Sequence, residues 1–190
     1  MDDIPTVSIL VLGDPGCGKS TFLARINKGR DGHSASDLTL LRDLDQPYIY
    51  DVNLYSRLYR FKFSDTASPN NFTLLKPDFI IICYDISERE SLINARDLWR
   101  KDAIRYYQSD REDIPVMLVG LKRDLRVENE DTLYPQEGYR VAQEMRCDIY
   151  AECSALTGEL VKETIEDIMK GAAKTTTENG GLTPGGCVIL

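Results

Sequence analysis

No apolar run in this chain approaches the roughly 20 residues that a membrane-spanning helix needs. The opening Met1-Asp2-Asp3-Ile4 has neither the layout of a signal peptide nor the glycine that myristoylation requires, so neither export nor an N-terminal lipid is expected. Basic residues are in deficit, with 23 Lys and Arg against 31 Asp and Glu and a formal charge of −8. That balance argues against a nucleic-acid partner, which favours basic surfaces. Cysteine is sparse and odd in number: Cys17, Cys83, Cys147, Cys153 and Cys187 lack the spacing of a metal site. Neither a disulfide framework nor a thiolate metal centre is expected, and a reducing, cytoplasmic setting follows. The interior cysteines read as small core residues. What is present is ordinary: 190 residues, 42% hydrophobic and 28% charged, suit one globular domain with a full core.

Strand and helix patterns alternate along the chain. Val7 to Leu12 reads as a buried strand and Lys19 to Lys28 as a short helix that Gly29 ends. Ile49 to Phe63, rich in Tyr, Val, Leu and Phe, reads as a hairpin. Phe79 to Tyr84 is a continuous apolar run suited to a central parallel strand. Glu88 to Tyr107 carries Leu92, Ala95, Leu98 and Trp99 at helical spacing. Val116 to Gly120 is the next strand, Pro135 to Met145 a helix, Asp148 to Glu152 a short strand and Glu159 to Ala173 the last helix. The alternation predicts a doubly wound, mostly parallel α/β sheet flanked by helices, with ligands at the strands' C-terminal ends. From Lys174 to Gly186 the chain is rich in Thr and Gly without periodicity, which predicts a flexible linker.

The first strand runs straight into Gly13-Asp14-Pro15-Gly16-Cys17-Gly18-Lys19-Ser20, which fits the pattern G-x-x-x-x-G-K-[ST]. Glycines let successive backbone N–H groups turn inward on a phosphate, and the following helix adds its positive end. Lys19 is placed to reach the β- and γ-phosphates, and the Ser20 hydroxyl to bind Mg²⁺. Two later loops bear on the base. Leu121-Lys122-Arg123-Asp124 follows one strand and Cys153-Ser154-Ala155 follows the last. The Asp124 carboxylate can accept hydrogen bonds from N1–H and the exocyclic amine of guanine, donors that adenine does not present. The Lys122 stem can cover the face of the base, and the Ala155 N–H can donate to the O6 carbonyl.

With these motifs the sequence resembles the Ras superfamily of small GTPases, and within it the Rho branch. The resemblance runs from about Thr6 to the last residue. It is carried by Gly13 to Ser20, Asp65-Thr66-Ala67, Val119 to Arg126, Tyr134-Pro135-Gln136, Glu152-Cys153-Ser154-Ala155-Leu156 and a C-terminal Cys-a-a-X box. It implies the small GTPase (P-loop NTPase) fold over 1–173, followed by a flexible tail over 174–190. It also implies a GTP/GDP switch with Mg²⁺ and two mobile segments through which effector and regulatory proteins would dock. The implied nucleotide set is Asp14, Pro15, Gly16, Cys17, Gly18, Lys19, Ser20, Thr21, Lys122, Asp124, Ser154 and Ala155. The implied Mg²⁺ set is Ser20, Thr39 and Asp65. Thr39 is the only threonine between Thr21 and Thr66, although counting back from Asp65 puts the family's position near Asp43.

The departures matter as much. Where the family has Asp-x-x-Gly-Gln, this chain reads Asp65-Thr66-Ala67-Ser68-Pro69. Ser68 replaces a glycine whose φ/ψ freedom it lacks, and Pro69 replaces the glutamine that orients the attacking water. No catalytic residue is therefore assigned, and slow or absent GTP hydrolysis is expected, since positioning is most of what such a site does. Asn70 and Asn71 are the amides nearest to that gap. Pro15 stands where a glycine usually lies close to the γ-phosphate, and it removes one N–H from the cradle. Leu121 replaces an Asn or Thr that ties the base loop to the phosphate loop, a loss on the order of 1 kcal/mol. No aromatic residue lies between Phe22 and Tyr48 to edge onto the base. The short stretch from Arg126 to Leu133 has no room for the helix most Rho proteins insert, so a divergent Rho-like or Ras-like member fits best.

Cys187-Val188-Ile189-Leu190 forms the Cys-a-a-X box, and its leucine favours geranylgeranyl transfer to Cys187. With Lys174 the only basic residue from Gly171 onward, one lipid would anchor reversibly to the cytoplasmic face of a membrane. Two functions remain open. One is a prenylated switch that hydrolyses GTP poorly; the other is a pseudo-GTPase serving as a binding module.

Overall fold

The computed structural model describes residues 4–28, 38, 40, 46–65, 75–107, 114–128 and 132–179. Strand β1 (Thr6–Gly13) leads through the glycine loop into helix α1 (Lys19–Lys28). The expected hairpin forms as β2 (Tyr48–Leu54) and β3 (Arg57–Asp65), turned by Tyr55 and Ser56, both at positive φ. Then come β4 (Phe79–Asp85), a long helical stretch, β5 (Val116–Leu121), α4 (Pro135–Glu144), β6 (Ile149–Glu152) and α5 (Val161–Ala173). The six strands lie in the order β2-β3-β1-β4-β5-β6, and every pairing is parallel except β2 with β3.

Side chains alternate across the pleat, so β1 feeds two cores. Val7, Ile9 and Val11 join Phe61, Phe63 and Ile81 on one face, covered by Phe22, Leu23, Ile168 and Met169 of α1 and α5. Leu10, Leu12, Ile80 and Ile82 face the other way, against Leu92, Trp99 and Val141. Helices on both faces explain why every residue of β4 is buried, as its unbroken apolar run predicts. Edge strand β2 shows the opposite pattern: it alternates, with Ile49, Asp51 and Asn53 exposed.

Two elements differ from expectation. The helix predicted over Glu88 to Tyr107 is three pieces: α2 (Arg89–Asn94), a π-helical turn (Ala95–Trp99) and α3 (Arg100–Tyr107). Its apolar spacing cannot reveal the break, because the extra residue is absorbed within one turn. Lys174–Asn179, read as linker, continues from α5 as a 3₁₀ turn. There the Thr175 and Thr176 hydroxyls donate to the carbonyls of Ala172 and Ala173, satisfying acceptors that a helix end leaves open. Among the described residues, no helix is long and apolar enough to cross a membrane.

Candidate functional site

The parallel register gathers the strand ends on one edge. Val11 pairs with Asp65, Gly13 with Cys83, Asp85 with Leu121, and Gly120 with Glu152. The chain leaves β1 between β3 and β4, where the strand order reverses, and a crevice opens at such a point.

The glycine loop fills that crevice. Gly13 has φ +145°, and a Cβ there would lie 2.4 Å from the Cys83 carbonyl oxygen, so only glycine lets β1 turn. Gly16 and Gly18 also take positive φ. Pro15 and Gly16 are exposed on the rim, while Cys17 is buried in the core under α1. Burial pushes the Cys17 thiol up, as it does Cys83 and Cys153, so these are protonated packing groups at neutral pH rather than nucleophiles.

Lys19 carries the electrostatics. It is only 5% exposed, and its Nζ donates to the Gly13 and Asp14 carbonyls, each at 2.8 Å. Among the described residues no carboxylate pairs with it. A buried ammonium held by neutral dipoles is costly, and an anionic ligand offsets that cost. Helix α1 has no acidic residue in its first turn, so no side chain of its own opposes its positive end. Ser20 is exposed and Thr21 half-buried on that turn. Asp65 ends β3 alongside β1, with its N–H donating to Gln46 Oε1 at 2.8 Å. Among the described residues no group of three or more His, Cys, Asp or Glu forms a metal cage. A divalent ion here would rest on Ser20 and Asp65 together with phosphate oxygens, the hard-oxygen set that suits Mg²⁺. Thr39, Ser68, Pro69, Asn70, Asn71 and Cys187 lie outside the described residues.

The base loops meet the glycine loop from the β5 and β6 side. Lys122 adopts a left-handed backbone, its Cε lies 3.7 Å from where a Gly18 Cβ would sit, and its Nζ pairs with Asp85 Oδ2 at 2.5 Å. Asp85 is buried, and its other oxygen accepts from the Ser87 N–H and hydroxyl. The Asp124 carboxylate is exposed, with Oδ1 accepting from the fully buried Ser154 hydroxyl. Beside it, Arg25 of α1 donates to the Ala155 and Leu156 carbonyls at 2.7 and 2.8 Å, fixing the last loop to the phosphate side. Leu121 is 1% exposed in the first core, and its Cδ1 lies 3.5 Å from where a Gly18 Cβ would sit, so an apolar side chain fills the space beside the glycine loop where the hydrogen bond is lost.

The structure thus brings together Gly13 to Thr21, Asp65, Lys122, Asp124, Ser154 and Ala155. It turns the Asp14 carboxylate away from this group, onto Asn94 and Trp99. Arg25, Asp85, Asn94 and Trp99 were not legible as site residues. Each acts on a partner distant in sequence, and no local motif marks any of them.

A glycine-turned loop before a helix at the switch point of a parallel sheet, with a buried lysine lying across it, defines a P-loop nucleotide-site protein of the α/β class. The Ras family model matches residues 8–174, and the chain belongs to that family. Within it the chain is Rho-like. It is 30% identical to the GTP-binding protein RHO2 of Saccharomyces cerevisiae over 96% of this chain and 95% of that one. It is 28% identical to the GTP-binding protein RHO1 of Candida albicans over 83% of each chain. With the GTP-binding protein RHO1 of S. cerevisiae it shares 26% identity, over 91% of this chain and 86% of that one.

Proposed function

We propose that this chain is a guanine-nucleotide-binding switch that holds GTP and hydrolyses it slowly. The observation that carries the reading is the buried Lys19 ammonium, spanning the phosphate loop on carbonyls alone, with Asp124, Ser154 and Ala155 at the same sheet edge. Asp124 would read guanine through N1–H and the exocyclic amine, with Ser154 fixing one carboxylate oxygen. Ser20 and Asp65 would hold Mg²⁺, with Thr39 the candidate third side chain. When bound, the ion neutralises phosphate charge. Slow hydrolysis rests on the sequence at the water-positioning segment, where Ser68 and Pro69 supply neither glycine nor a side-chain amide. Effector and regulatory proteins would read the segments around Thr39 and Ser68. The net charge of −8 speaks against a nucleic-acid partner.

The test is to purify the protein without added nucleotide, denature it and identify what is released by chromatography. GTP is expected. ATP would sink the guanine reading, and an empty protein would favour a nucleotide-free binding module.

Cys187 in the Cys-a-a-X box would carry a geranylgeranyl group, placing the protein reversibly on the cytoplasmic face of a membrane. On fractionation the wild type should divide between membrane and soluble pools, and Cys187→Ser should be wholly soluble. An unchanged membrane share in that variant contradicts the anchor.

A further inference from the structure

Asp14 is the one acidic side chain in Gly13 to Ser20, and a carboxylate there would repel phosphate. Its charge is held elsewhere. Asn94 Nδ2 donates to Oδ2 at 3.0 Å and Trp99 Nε1 donates to Oδ1 at 2.7 Å, one donor for each oxygen. Meanwhile the Asp14 carbonyl, on the other side of the residue, accepts from Lys19 Nζ.

The helix is built to supply both donors. Asn94 and Trp99 are five residues apart, and a regular 3.6-residue turn would set them about 140° apart around the axis. Between them runs the π-helical turn, in which the Arg100 N–H donates to the Ala95 carbonyl five residues back. The wider turn brings both side chains onto one carboxylate. π-turns of this kind recur at functional sites. Trp99 is 3% exposed, so its N–H donor is anchored by the second core.

From this geometry we infer that Asn94 and Trp99 form a clamp that holds the Asp14 carboxylate off the phosphate site and thereby prolongs nucleotide residence. Both are positioning residues, acting through Asp14. The inference rests on the guanine-nucleotide reading proposed above.

The test is dissociation of a fluorescent GDP analogue, chased with excess unlabelled GDP, from the full chain. Asn94→Ala/Trp99→Phe should release it at least about tenfold faster, the range in which packing and charge changes act on off-rates. Adding Asp14→Ala to that pair should restore slow release, because the unclamped charge is gone. Asn94→Ala alone, which favours the helix and keeps Trp99 in place, should show a smaller acceleration in the same direction. An unchanged rate in Asn94→Ala and in the double variant overturns the clamp. So does acceleration that persists without the Asp14 carboxylate, since that marks a packing defect instead. If the wild type binds no guanine nucleotide, the functional reading falls and the clamp falls with it. Wild-type binding with an unaltered variant off-rate sinks the clamp alone.

Discussion

Lys19→Ala should weaken guanine-nucleotide binding by about 30-fold to several thousand-fold, the loss of about 2–5 kcal/mol that follows truncation of one partner in a buried charge pair. Lys19 is almost wholly buried at the start of α1, and the Gly13 and Asp14 carbonyls take two of its three donors. Its remaining donor and its charge are what an incoming phosphate would meet. In the ligand-free protein the substitution costs little, since it removes a buried cation together with the desolvation it imposes. The two states are therefore separable. Thermal unfolding of the variant without nucleotide should stay near the wild type, whereas saturating GDP should stabilise only the wild type. A variant that GDP still stabilises as strongly as the wild type contradicts the role given to Lys19.

Asp124→Asn should reverse base preference. On the proposed reading the carboxylate would accept two charge-assisted hydrogen bonds from guanine, each worth about 1.5–3 kcal/mol, so the loss should exceed roughly a hundredfold in affinity. An asparagine amide places a donor against the exocyclic amine of guanine, yet it matches xanthine, which has a carbonyl there. Ser154 is fully buried with its hydroxyl on Asp124 Oδ1, so the carboxylate is held in one orientation. Competition of GTP and XTP against a fluorescent nucleotide reads the outcome directly. Equal loss for both nucleotides would mean that Asp124 supports the loop and does not read the base.

The phosphate loop was legible because its chemistry is local: glycine torsions, one lysine and the onset of a helix lie within Gly13 to Ser20. The inner strands β1, β4 and β5 were legible too, since helices cover both faces and leave apolar runs such as Phe79 to Tyr84, and the hairpin was legible from its Tyr, Val, Leu and Phe content. What was missed depends on partners far apart in the chain. Asp85 reaches Lys122 across 37 positions and Arg25 reaches Ala155 across 130. Leu121 was read as a lost hydrogen bond, because residue type alone does not show that its side chain is buried beside the space a Gly18 Cβ would take. The clamp on Asp14 was hidden twice over. Its donors lie 80 and 85 positions away, and they converge only through a π-turn to which a 3.6-residue periodicity is blind. The Lys174–Asn179 turn was missed because threonine reads as a linker residue, whereas here its hydroxyls cap the preceding helix.

On the proposed reading this site grips GTP and is slow to cut it. The most direct measurement is a single-turnover time course: load the full-length protein with GTP and Mg²⁺, remove free nucleotide, and follow bound GTP and GDP by chromatography. Conversion should run at least about tenfold slower than the ~4 × 10⁻⁴ s⁻¹ of Ras with its glutamine in place, so most of the bound nucleotide should still be GTP after an hour. Conversion at or above that rate would contradict the proposed reading.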